Sequence, residues 1–396
     1  MNSRGEGLRI LLHSRSFFPR LGGLEQAGLS LARELGRRGC EVIVATDVSA
    51  RAEVDRALGF EVVRGRSLRD LAALARRCDI VHANGFSLTS VNIALPAGRP
   101  LVFTHHGYQA SCLEGLGWHG GGHCQYRLPR CVALTARHLG PLRAARQLGR
   151  HAVGRAALHL AAAHGAVSAY VARILAAPRT RVVLNCVETS LFYPAPAKGE
   201  RRRFLFFGRF VAEKGVDVLL RAVAMAVESG ADIALDLVGG GPLEGEYRAR
   251  VRSLGLEERV AFRGVLRGES LADAVRESLA VVVPSVWDEA FGIAAAEAIA
   301  CGRVALVSDA GGLPEVVEGL DTAVPPGDTE AWARALRRAR EDEGWREGIE
   351  KRLPAVAARF TPERLAQDYL SIYGRVLAGP AVTKDAEASP PYPWHR

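Results

Sequence analysis

Lysine is almost missing from this chain: four lysines stand against 48 arginines in 396 residues. GC-rich coding produces such a bias, so a lysine at a chemically suggestive position is not explained by composition alone. Long apolar runs are missing as well. No window of about 18 uncharged apolar residues occurs, which argues against a membrane-spanning helix. The apolar stretch Leu8–Leu12 is shorter than the roughly 7–15 residues of a signal-peptide core, so the expected location is the cytoplasm. No Asp-x-Asp metal motif occurs anywhere, and neither a metal nor another cofactor is expected.

Cysteine is present but without a framework. Seven cysteines, an odd number, fit reduced thiols better than disulfides. Cys112, Cys124 and Cys131 fall close together, near His119 and His123. A zinc site wants paired ligands two to four residues apart, whereas the spacings here are 12 and 7, which favours structural thiols over a metal or redox role. Carboxylates are missing from one long segment. Between Gly115 and Val187 there are ten arginines and no Asp or Glu, so this segment accounts for the net charge of +9 and the remainder is close to neutral. The coding bias explains arginine over lysine, but not the missing acids.

What is present is a rhythm. Short apolar runs at Arg9–His13, Glu41–Thr46, Asp79–Ala83 and Leu101–His105 read as strands, with helical stretches such as Glu25–Arg38 and Leu68–Arg77 between them. The second half repeats the pattern, with strands expected at Phe204–Phe207, Ala234–Val238, Val260–Phe262, Ala280–Pro284 and Val304–Ser308. Such alternation implies an α/β protein with two doubly wound, Rossmann-like domains facing each other across a cleft. The expected divisions are an N-terminal domain over 1–190 and a second over 191–363. A C-terminal helix over 364–377 then packs back on the first domain, and a disordered tail covers 378–396. The proline- and arginine-rich stretch Glu188–Arg201 marks the junction.

Ligands of doubly wound sheets bind at the carboxyl ends of strands, and the chemically suggestive residues sit there. Gly22 and Gly23 follow the first strand and open a helix, where a backbone can approach a phosphate; the same turn is also an ordinary strand-to-helix connection. In the second domain a strand runs into Gly208-Arg209 and then Glu213-Lys214-Gly215. Arg209 offers a planar fork and Lys214 a compact charge, together able to neutralise a leaving diphosphate without a metal. Gly239-Gly240-Gly241 ends another strand in a close-approach turn, and after Phe262-Arg263-Gly264 the backbone of Val265 can read a base edge. The densest signal follows Pro284: Glu289, then Phe291, Gly292 and Ile293 at a helix start, then Glu297. Glu289 can accept hydrogen bonds from sugar hydroxyls, Glu297 can bind a ribose diol, and the three helix-start amides suit an anion.

The pattern Glu289-x7-Glu297 within Glu-Ala-Phe-Gly-Ile-Ala-Ala-Ala-Glu-Ala-Ile-Ala-Cys-Gly closely resembles the family 4 glycosyltransferases of GT-B fold. So do Gly208-Arg209, Glu213-Lys214-Gly215, the Gly239–Pro242 turn, Gly311-Gly312-Leu313-Pro314-Glu315 and the N-terminal Pro19–Glu25 stretch. The resemblance runs from about Arg9 to Leu377 and implies retaining transfer from a nucleotide diphosphate sugar to an acceptor hydroxyl. It also implies a histidine near the reacting carbon, and Thr104-His105-His106-Gly107 supplies His106. The stretch Gly107–Arg155 departs from the family pattern, which bears on the acceptor rather than the donor. Cell-envelope glycan, glycolipid or secondary-metabolite synthesis are the settings implied.

Two other classes compete. Non-hydrolysing nucleotide-sugar epimerases also place two such domains around a nucleotide sugar, but they would need carboxylates set for proton abstraction. A basic nucleic-acid-binding protein fits the clustered arginines but lacks any accompanying motif, so no nucleic-acid partner is expected. The arginines instead suggest a surface. Pro141 suits the first turn of a helix reaching about Ala163, on which Arg143, Arg146 and Arg150 share a face. This stripe is either a solvated helix face or a patch that docks an anionic membrane and presents a lipid-linked acceptor.

Overall fold

The computed structural model describes residues 7–20, 22–119, 122–195 and 202–379. Its first sheet grows from apolar runs that become strands buried on both faces, as Ile10, Leu11 and Leu12 are in the first of them. The strands are β1 (Arg9–His13), β2 (Glu41–Thr46), β3 (Glu61–Arg64), β4 (Ile80–Asn84) and β5 (Leu101–His105). A short antiparallel pair follows, β6 (Trp118–His119) with β7 (Gly122–His123), and then β8 (Ala163–Ala166) and β9 (Thr180–Val182). Apart from that pair the strands are parallel, in the order β3-β2-β1-β4-β5-β8-β9. The second sheet holds β10 (Arg203–Arg209), β11 (Ala234–Gly240), β12 (Val260–Gly264), β13 (Ala280–Val283), β14 (Val304–Ser308) and β15 (Ala323–Val324). Its order is β12-β11-β10-β13-β14-β15. Both orders reverse once, beside β1 and β4 in the first sheet and beside β10 and β13 in the second. Each reversal is a switch point where a crevice opens beyond the strand ends.

Two parts of the chain differ from the sequence reading. The helix opening at Pro141 ends at Leu158 rather than near Ala163, and Ala163-His164-Gly165-Ala166 is a strand. This strand has no β-branched residue to announce it. It is placed by pairing with β5 and by what lies over it. What lies over it is the helix Pro362–Ala378, which leaves the second sheet and crosses back to the first. Its Leu365, Tyr369, Leu370 and Tyr373 are buried in one core with Ile10, Leu29 and Val102. Two buried contacts fasten it: Tyr373 Oη lies 2.5 Å from His82 Nδ1, and Tyr369 Oη lies 2.5 Å from Thr104 Oγ1. Of the expected tail over 378–396, Ala378 is instead the last residue of this helix; 380–396 and 196–201 of the junction lie outside the described residues.

The carboxyl ends of the two sheets face each other across the cleft. Ser168, after β8, donates its hydroxyl to the Ala290 carbonyl at 2.6 Å, and the amides of Ala169 and Tyr170 donate to the Glu315 carboxylate at 2.7 and 2.8 Å. Those amides open the helix Ala169–Leu175, so Glu315 accepts from a positive helix end in the opposite domain.

The crossing helix generates a test. A Cβ on Gly165 would lie 2.5 Å from Tyr369 Oη, too close to be absorbed without moving the helix. Gly165→Ala should destabilise by about 1–3 kcal/mol. Gly149→Ala, in the helix Pro141–Leu158 with nothing within 4 Å, should instead gain up to about 1 kcal/mol. Urea unfolding of the two variants should move the midpoint in opposite directions.

Candidate active site

The second switch point brings two loops together. One follows β10 and contains the single turn Ala212–Lys214; the other runs from Pro284, after β13, to Gly292. Their approach depends on Gly215. It has φ +69°, and a Cβ there would lie 1.9 Å from the Pro284 carbonyl oxygen, so only glycine allows the contact. The Val286 amide donates to the Glu213 carbonyl at 3.0 Å across the same junction. On the other side Gly311, at φ +65°, packs against the backbone of Glu289, and the Gly312 amide donates to the Glu289 carbonyl at 2.7 Å.

Held this way, Lys214 Nζ lies 2.5 Å from Glu289 Oε1, and the buried Ser285 hydroxyl donates to the same oxygen at 2.6 Å. The ammonium also sits 5.8 Å from the centre of the Trp287 ring, within range of a cation–π attraction. Burial alone would raise the Glu289 carboxyl. The Lys214 charge and the hydrogen bonds from Lys214 and Ser285 outweigh it and hold the group below its ordinary value. Glu289 is therefore a fixed carboxylate. Arg209 is not part of this contact: it stands at the end of β10 with its side chain 65% exposed, 3.5 Å from Glu213.

Gly292 caps the next helix at φ +109°, Phe291 beside it is buried, and Ile293 is the first helical residue. The leading amides of this helix have no acceptor within it and form a positive end next to Glu289. Glu297 lies in the same helix, Ile293–Ala300, where burial is the one resolved influence on its carboxyl and pushes it up to about 8. Two carboxylates eight residues apart are thus displaced in opposite directions by their surroundings. Gly240 and Val265 are neighbours at the ends of β11 and β12: a Cβ on Gly240 would be 3.7 Å from Val265 Cγ2. From the first domain, Gly22 and Gly23 open the helix Gly23–Arg37, and Gly23 comes up against Ile293, 3.9 Å from where its Cβ would be.

His106 lies just beyond β5. Its Nε2 is 2.7 Å from Asn84 Oδ1. The Asn84 amide nitrogen donates to the Leu24 carbonyl, which fixes Oδ1 as the acceptor and makes His106 Nε2 the donor. Burial pushes the imidazole down to about 4, with the nearby Asn185 side chain opposing, so at pH 7 it is neutral with a lone pair on Nδ1.

Sequence reasoning missed several residues of this cleft. Asp288 accepts from Tyr170 Oη at 2.5 Å and lies 2.9 Å from His123 Nε2, while its carbonyl accepts from Tyr108 Oη at 3.0 Å. Asn84 sits at the end of β4, a position type the strand-end rule covers. The tyrosines carry no sequence signal, because their partners come from another domain. The cysteines lie closer together than their spacing suggested. Cys112, Cys124 and Cys131 converge with His119 so that their side-chain donor atoms all lie within 4.8 Å of one another. The spacing rule looks for pairs on one turn; here each residue arrives from a different segment.

Comparison with known proteins fits this geometry. The model for Glycosyltransferase Family 4 matches residues 21–191, and that for Glycosyl transferases group 1 matches residues 190–354. Both matched models describe glycosyltransferases, one for each half of the chain. More narrowly, the chain belongs to the family 4 glycosyltransferases. It is 34% identical over 215 residues to a D-inositol 3-phosphate glycosyltransferase of Actinosynnema mirum, covering 49% of this chain and 51% of that protein. It is 28% identical over 180 residues to an alpha-D-kanosaminyltransferase of Streptomyces kanamyceticus, covering 45% and 46%. The chain spans about half the length of these curated relatives. Among solved structures, Anabaena HepE in complex with UDP and glucose superposes with a TM-score of 0.71 at 19% identity, over 93% of this chain and 99% of that one. That likeness supports the GT-B fold.

The raised Glu297 carboxyl has a measurable consequence. In an unfolded chain it titrates near about 4.3; in the folded chain, about 8. Between these values the folded state holds the extra proton, so stability falls as pH rises through the window, and the loss is complete above it. Glu297→Gln should remove this loss, gaining stability relative to the parent by on the order of 1–4 kcal/mol between pH 5 and 9. Urea unfolding at both pH values checks it; a difference independent of pH would mean that Glu297 ionises normally.

Proposed function

We propose that this chain transfers a sugar from a nucleoside diphosphate sugar to an acceptor hydroxyl, with retention at the anomeric carbon. The observation that carries the reading is the partly buried Lys214–Glu289 pair at the switch point of the second sheet. When the bond to the diphosphate breaks, negative charge grows on the leaving oxygens. Lys214 neutralises it, Arg209 folds in from the end of β10 to share the task, and the amides of Phe291, Gly292 and Ile293 add a positive helix end. Glu289, held ionised, accepts from the sugar hydroxyls. Glu297 offers its carboxyl to the ribose diol, and Gly240 with Val265 offers backbone to the base. Gly22 and Gly23 close on the diphosphate from the first domain, and the neutral His106 contacts the sugar near the reacting carbon. No added divalent ion is needed in this scheme. The HepE structures hold UDP, or UDP-glucose, which makes uridine diphosphate sugars the first donors to try.

The acceptor belongs to the first domain. A cavity of about 360 Å³ opens there, lined in part by Ser87, Gln109, Glu114, Gln147, Arg150 and His151, polar enough to bind a hydroxylated acceptor. Arg143, Arg146 and Arg150 lie exposed along the adjoining helix, and Leu142 and Val153 beside them are 85% and 57% exposed. Cations next to uncovered apolar side chains suit the surface of an anionic membrane, and with it a lipid-linked acceptor reached from the cytoplasmic face. No described helix is long and apolar enough to cross a membrane.

Two experiments test these readings. Incubation with a panel of nucleotide sugars, without added magnesium or manganese, should yield transfer or slow hydrolysis with a product of retained configuration. Lys214→Ala and Glu289→Ala should each lose about 10²–10³ in turnover. An inverted product, or strict dependence on added divalent ion, would overturn the scheme. Separately, the protein should co-sediment with vesicles containing anionic lipid and not with neutral ones. Binding should weaken in salt and fall when Arg143, Arg146 and Arg150 are changed to Gln. Failure to bind anionic vesicles at low salt would point to a soluble acceptor.

A further inference from the structure

The segment after His106 carries a cluster that sugar transfer does not use. Cys112 lies in the loop beyond β5, His119 ends β6, Cys124 follows β7, and Cys131 lies in the helix Leu128–Leu139. All four side chains are buried. Cys112 Sγ is 3.7 Å from Cys131 Sγ, 3.9 Å from Cys124 Sγ and 3.2 Å from His119 Nε2, and Cys131 Sγ is 3.4 Å from His119 Nε2. A disulfide needs about 2.05 Å between sulfurs, so none of these contacts is one. A tetrahedron with zinc bond lengths has edges of about 3.8 Å between sulfurs and about 3.6 Å between sulfur and nitrogen. The four distances above are close to these edges, and all six lie within 4.8 Å.

Its surroundings are those of a metal centre. His119 presents Nε2 to the sulfurs, while its Nδ1 lies 2.7 Å from Glu114 Oε1 and 3.1 Å from Thr135 Oγ1. A carboxylate on the far nitrogen fixes the ring and its tautomer, as the outer partners of zinc-bound histidines do. The Gly117 amide donates to Cys112 Sγ at 3.2 Å and the Leu113 amide to Cys131 Sγ at 3.3 Å, the support that thiolates require. The covalent chain also turns sharply here: Gln125 and Tyr126, next to Cys124, both have φ above +50° without being glycine. Two consecutive residues in that region cost energy that the local packing must offset.

We propose that Cys112, His119, Cys124 and Cys131 bind one zinc ion in a closed, structural tetrahedral site that fastens this insertion to the first domain. Loading converts three thiols to thiolates and releases their protons. All four positions are protein ligands, so no site is left for water or substrate, and the metal takes no part in transfer. Its effect on the cleft is mechanical. His123 and Tyr126 flank Cys124, and His123 lies 2.9 Å from Asp288, the neighbour of Glu289. Tyr126 packs against Tyr108 with ring centres 4.6 Å apart, and Tyr108 reaches the Asp288 carbonyl. The zinc thereby holds one wall of the cleft.

Metal analysis of the full chain, purified without added metal or chelator, should find about one zinc per chain. Protein produced in cobalt medium should show the ligand-field and thiolate charge-transfer bands of a tetrahedral sulfur-rich site. Cys124→Ser should lower zinc content at least tenfold, while His119→Cys, which restores a four-ligand set, should keep it. Glu114→Ala should weaken retention against a competing chelator by about 10–100-fold. Should Cys124→Ser fail to fold, the native stoichiometry and the His119→Cys variant still decide. Metal far below one per chain with the three thiols free, a disulfide among them, or an iron–sulfur cluster would each overturn the proposal.

Discussion

The loop from Pro284 to Gly292 is the constraint on which the rest of the cleft depends. Lys214 and Ser285 hold the Glu289 side chain, Gly312 holds its backbone, and Ser168, Tyr108 and Tyr170 reach the same loop from the first domain. A buried ion pair is weak evidence for stability, because removing two charges from water costs about as much as their attraction returns. Here the pair is accommodated by close backbone approaches at Gly215 and Gly311 that no other residue type allows. Such an arrangement is costly to build and is explained by what the charges do rather than by how they stabilise the fold.

The two glutamates of this loop and helix show the same principle in opposite senses. Glu289 meets a cation and hydroxyl donors and stays ionised; Glu297, a few residues on, meets mainly low-dielectric surroundings and takes up a proton more readily. One short segment thus supplies a fixed carboxylate and a second carboxyl whose charge depends on its environment, a division of labour set by burial and neighbours rather than by residue type.

Much of this was legible in the sequence where the physics is local. Glu41–Thr46, Leu101–His105 and Val304–Ser308 are strands at the expected bounds, because continuous apolar runs between turn residues mark strands buried on both faces. Lys214 stood out because lysine is rare, and it does meet Glu289. Arg209 looked equivalent from its spacing but lies exposed at the strand end, since a strand terminus and the turn after it point in different directions. The strand Ala163–Ala166 was not legible. Its alanines and glycine fit beneath Tyr369, and that partner is some two hundred residues away. The same reason hid Asp288 and the tyrosines around it. The cysteine cluster was hidden by a rule that is right for ligands sharing a turn and silent about ligands gathered from four segments.

The second switch point is where a nucleotide is expected to place its diphosphate. The most direct measurement is a crystal structure of the chain with a nucleoside diphosphate bound. Phosphate oxygens should lie within hydrogen-bond reach of Lys214 Nζ and the amides before Ile293, with Arg209 folded in from solvent and the ribose hydroxyls on Glu297. A nucleotide bound solely within the first domain, leaving the Lys214–Glu289 contact untouched, would contradict it.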